Sequence, residues 1–140
     1  MNIDVRTIYD TSDYSWCDYQ PMLNAFGDIL IQVDDNDYQG DSRLLYENDG
    51  KFGVLIFGWG SCSGCDALQA CYSIEEVQKL CDELQNDIKW FDTAKEAHSW
   101  FIEHDWEGDY SWAYQETRYF INHCLDYLEK RMEEENAETV

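Results

Sequence analysis

The sequence predicts an α+β domain: an antiparallel sheet of about four strands with helices, mostly C-terminal, packed on one side. Three observations carry that prediction. Residues 28–59 hold runs rich in Ile, Val, Leu and aromatic residues, interrupted by Asn48-Asp49-Gly50. From residue 73 onward, two helix-start signatures introduce segments whose apolar residues recur every three or four positions. The 140 residues are 44% hydrophobic and 16% aromatic with a single proline, Pro21, so residues 1–140 are expected to form one acidic domain with its own core.

In chain order, Ile3 and Val5 alternate with polar neighbours, which predicts a strand within residues 2–9. Residues 10–27 mix Asp, Ser and aromatic residues and read as a loop, with a short helical turn after Pro21. Residues 28–33 are expected as a strand and residues 34–41 as a polar turn. Residues 43–46 and 52–59 should form a hairpin, because Asp-Gly supplies the positive φ that a two-residue turn needs. Ser73 to Glu76 is a capping box, in which serine and glutamate each satisfy an orphan amide. Ile74, Val77, Leu80, Cys81 and Leu84 follow as one apolar stripe. Residues 88–91 suit a short strand. Thr93 to Glu96 is a second capping box, leading a helix with Ala97, Trp100 and Phe101 inward. The longest helix is expected from Trp112 to Glu134, with Ala113, Phe120, Cys124, Tyr127 and Leu128 on one face and residues 133–140 frayed. Trp59, Leu68, Leu80, Trp100 and Phe120 are the large side chains expected in the core.

Charge narrows the function classes. Thirty acidic residues against nine basic give a formal charge of −21. Residues 1–50 carry 11 acidic and 2 basic residues, residues 51–100 carry 8 and 4, and residues 101–140 carry 11 and 3, so the excess is no mere tail. Such a surface repels nucleic acid and anionic membranes and steers basic partners toward it; it also promotes solubility. No apolar run approaches the ~20 residues of a membrane span. The opening residues lack a basic start before an apolar stretch, so a cytoplasmic location is expected. There, Cys17, Cys62, Cys65, Cys71, Cys81 and Cys124 are expected to be mostly reduced, with Cys81 and Cys124 as small buried residues.

Four constellations invite chemistry. Cys62-x-x-Cys65, followed by Cys71, places thiols on a tight turn where Zn²⁺ is the metal such a set can hold, although the second half of a zinc motif is missing. Asp66 beside the pair disfavours a thiolate, which argues against redox catalysis. Asp35-x-Asp37-x-Gln39-Gly40 begins like a calcium loop, yet Tyr46 stands where a bidentate glutamate belongs, so a solvated turn is expected. Gly58 and Gly60 make no phosphate loop, since no lysine follows. His98, His104 and His123 are scattered, and no nucleophile is matched to them by spacing, so no catalytic residue is predicted. Acids interleaved with aromatics recur at residues 13–19 and 105–112. Carboxylates can replace phosphates, and exposed rings can anchor or stack. The residues expected to bind a partner are Asp13, Asp18, Asp34, Asp35, Asp37, Asp105, Trp106, Glu107 and Asp109.

The stretches FGWGSCSGCDAL (57–68), IKWFD (88–92) and HDWEGD (104–109) resemble small acidic proteins of phages and mobile elements. The resemblance covers about residues 38–112 and brings no catalytic residues. It implies an anti-defence inhibitor of the anti-CRISPR or anti-restriction kind, at work in a host bacterial cytoplasm. Its expected partner is a basic nucleic-acid-binding enzyme such as a CRISPR effector, met through its groove and not through free nucleic acid. A structural zinc or thiol module is the alternative.

Overall fold

The computed structural model describes residues 2–10, 16, 18–62, 64, 66–108 and 114–138. A four-stranded antiparallel sheet, in the order β1-β2-β3-β4, is formed by β1 (Asp28–Asp34), β2 (Gly40–Asn48), β3 (Lys51–Trp59) and β4 (Lys89–Phe91). Helix α1 (Gln20–Ala25) precedes the sheet, α2 (Ile74–Asp87) joins β3 to β4, and α3 (Ala94–Glu103) and α4 (Gln115–Glu138) complete the α+β fold.

The β2–β3 hairpin closes through Asp49 and Gly50, with φ of 52° and 78° between the paired residues Asn48 and Lys51. Two consecutive positive φ angles define the turn whose twist matches the flanking strands. Both capping boxes form: Ser73 Oγ accepts from Glu76 N at 3.3 Å, and Thr93 Oγ1 accepts from Glu96 N at 3.1 Å. The glutamates reach one residue further back than the motif requires, to Tyr72 N and Asp92 N.

Strand alternation sorts the core onto the two faces of the sheet. Leu45, Phe52 and Val54 face α3 and α4, joining Ala97, Phe101, Phe120, Cys124 and Leu128. Thus the two C-terminal helices pack on one side, as the sequence predicts. They run antiparallel, with Ala94 N bonded to Glu135 Oε1 at 2.8 Å. The opposite face is covered as well. Leu44, Tyr46 and Leu55 pack there against Met22 and Leu23 of α1 and Val77, Cys81 and Leu84 of α2. A bulge in β1 between Ile29 and Ile31 shifts the register, so that Ile29 serves the α2 side while Ile31 and Val33 serve the α4 side.

Several local expectations are corrected. Ile3 and Val5 are buried, but neither is in a strand: Val5 opens a 3₁₀ turn (Val5–Thr7) and Ile3 lies in the irregular segment before it. The Gln78 amide takes their backbone groups, Oε1 from Val5 N at 3.0 Å and Nε2 to Ile3 O at 2.7 Å, so no sheet partner is needed. Helix α4 continues to Glu138 instead of fraying at 133; Glu135 and Arg131 tie its last turns to α3 and β2. Trp112 and Ala113 lie outside the described residues. Leu68 and Phe120 are core residues as expected, whereas Trp59, Leu80 and Trp100 are only partly buried. Among the described residues, no helix is long and apolar enough to cross a membrane.

Candidate functional site

The strand register brings acidic residues to the end of the sheet where β1 turns into β2. On the α4 side, alternation places Asp41 two residues from Arg43 on the same face, opposite Gly58 of β3. With Asp35 and Asp37 of the turn, Trp59, Tyr114 just before α4 and Glu116 in its first turn, Asp41 and Gly58 line a concavity of about 620 Å³. On the α1 side, Gln32, Asp34 and Ser42 face Asp18, Tyr19 and Gln20, while Gly60, Asp66 and Gln69 supply the far wall. This second concavity measures about 320 Å³. Asp35 and Trp59 line both, so the two concavities adjoin at the end of the sheet, and together they are called the acidic cleft. Among the described residues, no Lys, Arg or His lines either part.

Hydrogen bonds set each wall. In the turn, Asp35 N donates to Asp41 O and Asp41 N donates to Asp35 Oδ2, both at 2.9 Å. Gly40 is required there, because a Cβ on it would lie 2.6 Å from the Asp35 side chain. Trp59 Nε1 donates to Ser42 Oγ at 2.9 Å, which fixes the indole. Asp66 is buried, and its carboxylate accepts from Tyr19 Oη (2.9 Å), Gly60 N (3.0 Å) and Gln69 N (2.9 Å), tying the segment after β3 to the residue before α1. Gln20 and Gln32 exchange amide bonds at 2.8 and 2.9 Å. Beneath the cleft, Arg43 is 1% exposed and bonded to Asp35 and Thr117. Burial raises the Asp41 carboxyl above its usual value; Arg43 opposes the shift and Asp35 adds to it.

Of the residues expected to bind a partner, Asp18, Asp34, Asp35 and Asp37 meet in this cleft. Asp105 and Glu107 are exposed but line neither part; Asp105 Oδ1 instead accepts from Gly108 N at 2.9 Å and closes its own turn. Trp106 is not an exposed anchor. It is 6% exposed, donates Nε1 to Phe101 O at 3.0 Å and packs against Phe101, Trp100 and His104, because the turn after α3 folds it back over the helix. Asp13 and Asp109 lie outside the described residues. Sequence reasoning missed Asp41, Asp66, Glu116 and Trp59. Asp41 shares the acidic run of residues 34–41 and was within reach of that signal; Glu116 joins from 75 positions away with nothing local to mark it.

Among the described residues, one cysteine departs from the expected reduced state. Cys62 is disulfide-bonded, while Cys71, Cys81 and Cys124 are free. An exposed turn sulfur is open to oxidation in a way that a core thiol is not. A bonded sulfur offers no thiolate to a metal, so Cys62, Cys65 and Cys71 do not stand as three ligands; Cys65 lies outside the described residues. Among the described residues, no group of three His, Cys, Asp or Glu is placed to hold a metal ion. Burial pushes the Cys81 thiol up to about 11, with Asp82 adding, and burial also raises the Cys124 thiol well above its usual value. His98 meets Glu129 at 3.2 Å, and His104 stacks on Trp100, so these histidines serve helix packing.

No known protein family, curated protein or solved structure matches the chain.

Proposed function

We propose that this protein is a non-enzymatic inhibitor of the anti-defence kind, whose carboxylates occupy a basic groove built for nucleic acid on a CRISPR effector or restriction enzyme. One observation carries the reading: carboxylates from α4, the β1–β2 turn and the two segments flanking α1 and β3 converge on one end of the sheet, with no cation lining the cleft among the described residues, beside a partly exposed Trp59. A basic side chain entering it meets several acceptors at once, and close charge pairs across an interface are worth about 1.5–7 kcal/mol in favourable cases. Tyr38 and Tyr114, 83% and 54% exposed, flank the same end of the sheet and supply rings for guanidinium stacking. The net charge of −21 steers basic partners toward it from a distance.

The test is cleavage by an RNA-guided nuclease and by a restriction endonuclease across a salt series, with added protein. Inhibition that weakens as salt rises and is relieved by excess nucleic acid supports the reading, since exposed charge is screened within about 8–10 Å at physiological ionic strength. Affinity for the enzyme that ignores both salt and removal of the cleft carboxylates refutes it.

A further inference from the structure

We infer that Arg43 is the positioning residue of the acidic cleft, holding its two walls at a fixed separation. The inference rests on the cleft being the partner-binding surface. Arg43 sits on the α4 side of β2, two residues from Leu45, where Val33 and Ile56 are its cross-strand partners. A cation on such an apolar face is unusual. Replacing a buried ion pair by apolar residues of similar volume is often neutral or stabilising, so stability alone does not account for it. What the guanidinium touches does. Its Nε–H donates to Thr117 Oγ1 at 3.0 Å, and Thr117, itself fully buried, follows Glu116 on the α4 wall. Nη1 donates to Asp35 Oδ1 at 2.8 Å on the turn wall, and Nη2 lies 3.9 Å from Asp41 Oδ2. The other oxygen of Asp35 receives Asp41 N, so the orientation imposed by Arg43 passes directly into the turn backbone. A planar fork serves two walls at once; the point charge of a lysine does not.

The experiment uses the full chain with Arg43→Lys and the milder Thr117→Val. Amide exchange is followed residue by residue, and affinity for a deca-arginine peptide is measured across a salt series. For Arg43→Lys the amide of Asp41 should exchange about tenfold faster while Leu44 and Leu55 are unchanged, and peptide affinity should fall about tenfold, the scale of a lost bond to a charged group. The salt slope should stay constant, because no carboxylate is removed. Thr117→Val, which removes one acceptor of the guanidinium and leaves its bond to Asp35, should lose about fivefold, the scale of one hydrogen bond. Unchanged Asp41 exchange in both variants overturns the inference, as does uniformly faster exchange across all strands, which marks a merely structural role. If Asp41 exchange responds but the wild type fails to bind deca-arginine, positioning by Arg43 stands and the proposed function falls.

Discussion

The turn between β1 and β2 and the turn after α3 start from the same raw material. Each strings aspartates beside an aromatic residue, Asp35 to Tyr38 in one and Asp105-Trp106 in the other. Each is closed by an aspartate accepting a backbone N–H, from Asp41 in the first and Gly108 in the second. Their surroundings then part them. Arg43 and the start of α4 stand behind the first turn, so its carboxylates are gathered into a cleft and Tyr38 is left in solvent. Behind the second lies an aromatic cluster of Trp100, Phe101 and His104, so Trp106 is drawn inward and the acids scatter outward. Acid–aromatic interleaving is therefore no mark of a binding surface. What decides is whether the neighbouring element offers the ring an apolar bed or the carboxylate a cation.

The largest expected effect tests the buried ring. Trp106→Ala should cost about 3–5 kcal/mol in a denaturant melt, the usual range for a large core aromatic. A loss below 1 kcal/mol would place Trp106 outside the core and erase the contrast.

Charge removal comes next. Asp37→Asn with Glu116→Gln should weaken inhibition of the target enzyme about tenfold or more, on the scale of two lost interface charge pairs. Asp105→Asn with Glu107→Gln, the same change in net charge, should weaken it only through long-range steering, by less than about threefold. Equal losses from the two pairs would mean that charge matters but the cleft does not.

A smaller effect distinguishes the carboxylates themselves. Asp41 has a raised pKa in the fold, so the native state binds its proton more tightly than the unfolded chain does. That contribution to stability is complete below the unfolded value of about 3.9 and is lost as pH rises through the higher native value. Asp41→Asn should therefore raise the melting temperature modestly at pH 7, with the advantage vanishing below about pH 4, while inhibition weakens. A melting temperature that falls at pH 7 would show that the contact with Arg43 outweighs burial. Smallest of all, Tyr38→Ala should leave stability within about 0.5 kcal/mol, as expected of an exposed ring; a larger loss would reveal packing that the first turn is not thought to have.

Much of the fold was legible because its signals are local. The Asp49-Gly50 turn, the N-caps at Ser73 and Thr93 and the stripe of Val77, Cys81 and Leu84 each act within a few residues, and each forms as read. The N-terminal strand was misread because Ile3 and Val5 alternate correctly while their backbone partner is a glutamine side chain more than seventy residues away. The site was half legible for the same reason. Asp34, Asp35 and Asp37 stand together in the chain, whereas Trp59, Asp66 and Glu116 reach them only through strand register and helix packing.

The sequence by itself determined the class of the fold, the hairpin, the helix starts and the acidic character of the surface. Those properties follow from backbone preference, short-range hydrogen bonding and composition. Tertiary structure alone decided that Trp106 is core, that both faces of the sheet are covered, and that Asp18, Asp41 and Glu116 share one cleft. Burial and charge proximity depend on contacts between distant segments, and the free energy of such a contact is set by the partner that the fold delivers rather than by the residue's neighbours in the chain.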